Sequence, residues 1–331
     1  MRWLVVAGIV VLIVGGFVLI KPPTPAIIVA PEYIFDLPVV GLEVTNTMFT
    51  SWVVVALLVV TAVLASRSMS LVPGGISGAI EAFIGGFYTM TEGIVGEANA
   101  RRFFPVVATI FLYVLVSNYV GLLPMNFAVG ATHPGTGEVQ AVFEQTSIAG
   151  IDVAYIPLQA ETVDTGAGET AMAAEEPGGS FSGLLAPLFR SVMTDVNAPL
   201  ALAIMSFIFV EYWGLSSLGP GYLKKFFAFG NLARLRPMGI IDVFVGLLEL
   251  ISELSRMVSF TFRLFGNVFA GEVLLLMMSF LVPLVLINVF YALELFVGLI
   301  QAFVFAMLTL VFAMSAVTSH DEHEEHEAVH E

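Results

Sequence analysis

Long stretches without a charged residue constrain this fold more than any other feature of the sequence. A helix that crosses a bilayer needs about 20 mostly apolar residues. Six uncharged runs approach or exceed that length: 3–20, 47–66, 103–129, 196–210, 273–293 and 295–319. Only 12% of all residues are charged, against roughly 25% in a soluble domain. The sequence therefore predicts an all-α integral membrane protein with five to six membrane-embedded helices.

The charge balance and the absence of cysteine exclude several classes of site. Twelve Lys and Arg stand against 27 Asp and Glu, whereas a nucleic-acid ligand requires a basic face. The chain has no Cys, so it has no disulfide and no thiolate ligand for a metal. A phosphate-binding loop of the G-x-x-x-x-G-K-[ST] type is also absent from the sequence. We expect no cofactor, no metal and no nucleic-acid partner.

Basic residues predict which connections face the cytoplasm. Lys and Arg concentrate on the cytoplasmic side of membrane proteins, and here they follow the second and fourth runs: Arg67, Arg101, Arg102, Lys224, Lys225, Arg234 and Arg236. The segment 125–195 has nine acids and one basic residue, Arg190, and is predicted to be external. Alternation then places 22–46 outside and the C-terminal tail in the cytoplasm. The first run, within 1–21, is either a retained anchor or a signal peptide.

Three other segments have distinct patterns. Between 76 and 101 the apolar residues recur three or four apart, which predicts an amphipathic helix on the cytoplasmic membrane surface. The stretch 130–190 is rich in Gly, Thr, Ala and Glu, which favours a loosely ordered, acidic external insertion. The tail 320–331 contains four His and six acids. We interpret it as a disordered end, since a flexible run lacks the preset geometry of a metal site.

The last two predicted helices are too long to stand upright in a bilayer. Nothing breaks a helix across 240–282, which would extend roughly 64 Å, and 285–319 would extend roughly 52 Å. The hydrocarbon core is only about 30 Å thick. We therefore predict a strongly tilted helical hairpin with its turn at 281–288. A hairpin of this kind suits the curved side of another membrane assembly.

Polar side chains on this hairpin carry the functional information. At about 100° per residue, five of them share one stripe of the first helix: Glu249, Glu253, Arg256, Arg263 and Asn267. Glu272 lies deeper on another face. On the second helix Glu294 and Gln301 share a face, and antiparallel packing places Glu294 near Glu272 and Gln301 near Arg263.

These buried charges are costly. An intramembrane Arg costs at least about 2.5–3.5 kcal/mol at the bilayer centre, so such groups persist where they pair, contact water or do chemistry. The structural alternatives are a polar contact between helices for the carboxyl groups and snorkelling to the interface for Arg263. The distance of Arg263 from either polar end argues against snorkelling.

Two motifs of the hairpin resemble the signatures of subunit a of F-type ATP synthases, the stationary part of the membrane proton turbine. The first, S-F-T-F-R-L-F-G-N-V-F-A-G-E, begins at Ser259 and contains Arg263. The second is Q-A-F-V-F at 301–305. Shorter matches are S-N-Y-V-G-L-L-P at 117–124 and T-D-V-N at 194–197, and Glu249 precedes Arg263 by the family's spacing. The resemblance extends from about residue 40 to 318.

The resemblance implies a proton-translocating subunit without a catalytic site of its own. In the family, the Arg at position 263 faces a rotating ring of c subunits, each with one intramembrane carboxylate, and separates two offset half-channels. An opposite charge within about 4–6 Å favours the ionised carboxylate, so each ring carboxyl releases its proton there. Arg263 itself keeps its proton because a guanidinium stays protonated in proteins.

The resemblance also assigns roles to further residues. It assigns Glu272 and Glu294 to the external half-channel, with Asn118 nearby, and Glu249 to the cytoplasmic half-channel. Asn267 and Gln301 flank the Arg. Two positions depart from the family pattern: several relatives have His where Glu294 stands, and some have Asp where Gly121 stands.

The implied partners are the c-subunit ring, the b subunits of the peripheral stalk, the remaining ATP synthase subunits and the lipid bilayer of a bacterial plasma membrane. These residues do not decide whether the transported ion is H⁺ or Na⁺, and H⁺ is favoured.

Two alternative functions remain. A self-contained secondary ion transporter typically has paired repeats with broken helices, and 1–125 contains no counterpart of the charges at 249–301. A membrane scaffold would not require a deep Arg263.

Overall fold

The structure is a computed structural model of the 331-residue chain. It describes residues 2–19, 31–37, 41–67, 75–123, 129–133, 139–148, 151–155, 162–164, 180–226, 238–282 and 285–318. The predicted disordered tail and its His residues lie outside the described residues. The chain divides into two compact units. The first comprises Met1–Leu57, Leu115–Asp195 and Phe265–Ile300, and the second comprises Leu58–Val114, Val196–Leu264 and Gln301–Glu331.

Helices dominate the described part of the chain. Six α-helices are present there: α1 (Arg2–Leu19), α2 (Asn46–Arg67), α3 (Gly75–Gly121), α4 (Asn197–Leu218), α5 (Met238–Leu281) and α6 (Leu286–Val317). Five segments, in α2 to α6, are long and apolar enough to cross a membrane. This confirms the predicted all-α integral membrane protein with five to six helices, and the first uncharged run forms α1.

The C-terminal hairpin follows the sequence prediction closely. Helix α5 has 44 residues and α6 has 32, which correspond to roughly 66 Å and 48 Å. Both exceed the hydrocarbon core of about 30 Å, so neither fits upright within it. Helix α5 ends at Leu281 and α6 begins at Leu286, inside the predicted turn. Pro283 lies outside the described residues.

Helix α3 contains a sharp break at Gly96. This residue has φ 76° and ψ 161°, a conformation that side-chain-bearing residues rarely adopt. The break separates an N-terminal helical piece from a second piece that continues to Gly121. The predicted amphipathic helix at 76–101 corresponds to the first piece, which ends about five residues earlier than predicted because of this glycine.

In the second unit, helices pack through small and aromatic side chains. Ala302, Ala306 and Ala313 of α6 are buried, and small residues let membrane helices approach closely. The hydroxyl groups of Ser206 and Thr309 are 2.8 Å apart in a hydrogen bond. The rings of Phe103 and Trp213 lie 4.5 Å apart, centroid to centroid. These contacts join α3, α4 and α6 around an apolar core.

The first unit adds β-structure outside the long helices. Strands β1 (Tyr33–Leu37) and β2 (Leu42–Thr45) form an antiparallel hairpin that leads into α2. Five further strands occupy the predicted insertion: β3 (Val129–His133), β4 (Val139–Ile148), β5 (Ile151–Tyr155), β6 (Thr162–Asp164) and β7 (Ser180–Pro187). Their order is β5-β3-β7-β4-β6, and β5 also pairs with β4.

This sheet corrects the expectation of a loosely ordered insertion. Bulk composition concealed local strand patterns, such as V-Q-A-V-F-E-Q-T-S-I in β4, where β-branched and aromatic residues favour a strand. Strands β4 and β5 pair in antiparallel register from Glu144 with Tyr155 to Ile148 with Ile151. Because β5 pairs with both β3 and β4, most strand edges are hydrogen-bonded to a neighbour, which stabilises a small sheet.

Candidate functional site

Arg263 lies on an exposed face of α5 in the second unit. Its guanidinium makes no ion pair or hydrogen bond with any residue that the structure describes. Ser259 shares this exposed face, and Phe262 beside Arg263 is 59% exposed, whereas Leu264 is fully buried. A cation without a partner in an apolar membrane segment costs too much free energy to persist without a functional role. This face therefore requires a counter-charge or water from beyond the described residues.

The other charged residues of the predicted stripe behave differently. The Arg256 Nη1 atom is 2.8 Å from Glu253 Oε1, and its guanidinium carbon is 4.6 Å from the centre of the Phe312 ring. Glu253 is only 4% exposed. Glu253 and Arg263 lie about 80° apart around the helix, so the stripe has a buried edge at Glu253 and an exposed edge at Arg263.

A polar cluster surrounds the early part of α5. Glu249 is half-buried, and the carboxylates of Glu211, Glu249 and Glu253 all act electrostatically on the buried Tyr222. Gln301 is buried on α6, and no hydrogen bond joins it to Arg263 among the described residues. The second unit thus contains the predicted residues Arg263, Ser259, Glu249 and Gln301.

A cavity in the first unit unites the three residues predicted for the external half-channel. The centres of water-sized spheres can occupy about 20 Å³ of it, which is room for about one water molecule. The lining includes the predicted Asn118, Glu272 and Glu294, together with Pro187, Arg190 and Ser191. Asn267, which is predicted to flank Arg263, is exposed on α5 and does not line the cavity. The predicted proximity of Glu294 to Glu272 is confirmed.

An ion pair on the cavity wall was not predicted. Arg190 Nε lies 3.2 Å from Glu272 Oε1, and the two side chains are 4% and 17% exposed. Arg190 precedes the short 3-10 helix Val192–Thr194, next to the T-D-V-N motif. Breaking a buried pair leaves an uncompensated charge, at a cost of about 3–5 kcal/mol. The pair therefore ties the β7–α4 connection to α5.

Glu294 has a different environment in the same cavity. It is 8% exposed, and it forms no ion pair within the part of the chain that the structure describes. Its carboxyl group lies against Gly271, where even a methyl side chain would overlap it. The G of the A-G-E motif thus provides the space for Glu294, and Glu294 has no fixed counter-charge from the described residues.

Several polar atoms on the cavity wall still need a partner. Asn118 Nδ2 donates to the Gly298 carbonyl oxygen at 3.1 Å. Asn118 Oδ1 and Ser191 Oγ are buried without a hydrogen bond to any described residue. Buried polar atoms in proteins are nearly always hydrogen-bonded, to protein or to ordered water. The cavity is therefore suited to hold water between the carboxyl groups.

Comparison with known proteins decides the family. A model of the ATP synthase A chain family matches residues 48–314. The chain belongs to the ATP synthase A chain family. As a member, it is a proton-translocating subunit of the membrane sector of an ATP synthase, and it has no catalytic site of its own.

Curated relatives agree with this A chain assignment. ATP synthase subunit a of Aliarcobacter butzleri is 28% identical over 82% of this chain and 88% of its own length. Subunit a of Campylobacter hominis is 28% identical over 83% and 91%, respectively. Subunit a of Helicobacter acinonychis is 29% identical over 78% and 84%. The resemblance stated from the motifs is confirmed at the level of the family.

Sequence reasoning about this A chain missed Arg190 as a site residue. The available signal was its position as the lone basic residue of the acidic stretch 125–195, directly before a family motif. A single cation among nine acids does not reveal which acid it pairs with, because Glu272 is on a distant helix in the sequence. Only the fold brings the two together.

Proposed function

We propose that this A chain subunit provides two offset half-channels and an essential Arg263 facing a ring of c subunits, and so couples proton flow to ring rotation and ATP synthesis. The observation that carries the proposal is the exposed Arg263 on an apolar helix face, without a partner among the described residues. The proposed neighbours are the c ring and the b subunits of the peripheral stalk. The proposed location is a bacterial plasma membrane, with 130–190 external and the tail cytoplasmic.

Arg263 acts on the ring through its charge. A ring carboxyl that faces lipid is neutral, since a bare charge in hydrocarbon is costly. When rotation brings that carboxyl beside the guanidinium, the opposite charge favours ionisation and the proton leaves. Arg263 cannot accept the proton, because guanidinium stays protonated in proteins. Protons therefore do not pass from one half-channel to the other except on the ring.

The cavity of the first unit supports the external half-channel. Glu272 and Glu294 are carboxyl groups that accept and release protons, which a relay requires. Arg190 supplies the counter-charge for Glu272 when Glu272 is ionised, and Glu294 has none from the described residues. The orphaned polar atoms of Asn118 and Ser191 favour water between them. The two carboxyl groups thus have different charge environments along one path.

The polar cluster of the second unit supports the cytoplasmic half-channel. Glu249 and Glu253 lie near Tyr222 at the start of α5, where carboxylates can receive protons released from the ring. A self-contained transporter, the rival hypothesis, would complete its ion path inside one chain. The exposed Arg263, whose counter-charge has to come from elsewhere, favours a path completed by a partner.

Photocrosslinking of the assembled complex tests this proposal. We expect a photoreactive phenylalanine analogue at Phe262, beside Arg263, to yield an adduct that contains the ring subunit. The same analogue at Tyr212 of α4, which is equally exposed at 60%, is the matched control and should not yield that adduct. Adducts of Phe262 with lipid only would reject the ring-facing orientation.

A further inference from the structure

Glu32 is a half-buried carboxyl group just before β1 in the first unit. Three hydrogen bonds join this residue to Asn46, the first residue of α2. Asn46 N donates to the Glu32 carbonyl oxygen at 2.9 Å, Glu32 N donates to Asn46 Oδ1 at 3.3 Å, and Asn46 Nδ2 donates to Glu32 Oε2 at 3.4 Å. The position of Glu32 is thus fixed by the fold.

Asn46 links Glu32 to the cavity described above. This side chain is fully buried, and its Nδ2 atom also donates to the carbonyl oxygen of Pro187 at 3.3 Å. Pro187 lines the cavity that contains Arg190, Glu272 and Glu294. Asn46 therefore bridges the Glu32 carboxyl group and Pro187 in the cavity wall through hydrogen bonds.

Two charged groups act on Glu32, and both belong to the ion pair of the cavity. Burial raises the pKa of the Glu32 carboxyl to about 7, the Arg190 guanidinium opposes this rise, and the Glu272 carboxylate adds to it. A carboxyl group of this kind is neither permanently charged nor permanently neutral at physiological pH. A group with such a pKa can both accept and release a proton, as efficient proton transfer requires.

We propose that Glu32 is the outermost proton-exchange group of the external half-channel, which takes protons from the outer solution and passes them through water to Glu272. The Glu32 carboxylate accepts a proton from a hydronium ion or a buffer acid and becomes a neutral carboxyl. It then gives that proton to bridging water, and the Glu272 carboxylate accepts one from the water. This inference rests on the proposed function, since it assumes that Glu272 belongs to a proton path.

A purely structural role for Glu32 is the alternative, and isosteric substitution separates the two. Glu32→Gln keeps an oxygen that accepts from Asn46 Nδ2 but cannot exchange a proton. Glu32→Asp keeps the acid and shortens the side chain by one methylene group. Glu43 of β2 is exposed, so Glu43→Gln removes the same charge from the same hairpin and is the matched control.

The test uses the complete ATP synthase in liposomes, oriented so that the outer side of this chain faces the lumen, with weakly buffered lumens from pH 5.5 to 8.5. At a fixed driving force, we expect Glu32→Gln to slow ATP synthesis about 3- to 10-fold near pH 8, where free protons are scarce. The wild-type rate of ATP synthesis, plotted against lumen pH, should instead show the titration of one group near pH 7. Glu32→Asp should recover at least half of the rate, Glu43→Gln should match wild type, and millimolar imidazole in the lumen should restore Glu32→Gln.

Three results would overturn the inference: a Glu32→Gln rate equal to wild type across the pH range, a Glu32→Asp rate as low as that of Glu32→Gln, or no restoration by imidazole. Rates are normalised to assembled complex. If the Gln variant does not assemble, Glu32→Asp carries the test, and the inference then requires a slowed rate that imidazole restores. Glu272→Gln in the same assay separates the two proposals. Normal synthesis in that variant rejects the half-channel itself, whereas a block there with normal Glu32→Gln synthesis rejects only the role of Glu32.

Discussion

Arg263→Ala is expected to abolish ATP-driven proton uptake by the assembled complex, with a loss of about 100-fold or more. Two unit charges 4 Å apart interact by roughly 4 kcal/mol at an effective dielectric constant of 20, and every 1.36 kcal/mol changes a rate tenfold. Without this charge, a ring carboxyl loses the force that ionises it beside the stationary subunit. Proton uptake into vesicles, followed with a pH-sensitive dye, measures the effect.

Two further variants sharpen the Arg263 prediction. Arg263→Lys keeps a positive charge but loses the planar fork and can lose its proton when desolvated, so it should also pump far below wild type. Arg101→Ala is the matched control, since Arg101 is exposed and, among the described residues, pairs only with Glu97 at i,i+4. Exposed pairs of this kind contribute little, and pumping should be unchanged. Normal pumping by Arg263→Ala would contradict the proposed mechanism.

Glu272→Gln is expected to reduce proton flux through the complex by about 100-fold, the lower end of what positioned proton-transfer groups contribute. The single variant also leaves the buried Arg190 without its counter-charge, and this loss destabilises the fold. The double variant Arg190→Gln with Glu272→Gln removes both charges and should recover assembly without recovering flux. Passive proton flux driven by a potassium diffusion potential, together with the yield of assembled complex, separates the two effects.

A glycine variant tests the same cavity without removing a charge. Gly271→Ala places a methyl group where the Glu294 carboxyl lies, so it should displace that carboxyl and slow the flux. Gly266→Ala on the same helix meets nothing within 4 Å and is the control for helix propensity.

Wild-type flux in the double variant Arg190→Gln with Glu272→Gln would show that the ion pair is structural only.

The long helices and Arg263 as a candidate site residue could be predicted from sequence because their signals are local. Uncharged runs fix the membrane segments, and the lengths of 240–282 and 285–319 fix the long hairpin. Arg263 is conspicuous because it is charged within an apolar run. Glu272 and Glu294 could be placed together because antiparallel helices joined by a short turn have a defined register.

The remaining parts of the site depend on contacts between distant segments. Asn46 and Pro187 are 141 positions apart, and no periodicity in the sequence relates β1, β7 and α5. Arg190 and Glu32 therefore carried no sequence signal for their partners. The sheet at 129–187 was missed because a composition rich in Gly, Thr and Glu was given more weight than the short strand pattern of β4.

A density map of the assembled complex tests the central claim most directly. The quantity to measure is the distance from the Arg263 guanidinium to the nearest carboxyl group of the ring. The account predicts one ring carboxyl within about 4–6 Å, the range over which an opposite charge favours ionisation, with no protein side chain of this subunit between them. An Arg263 side chain directed into lipid, or paired with an acid of its own chain, would contradict the account.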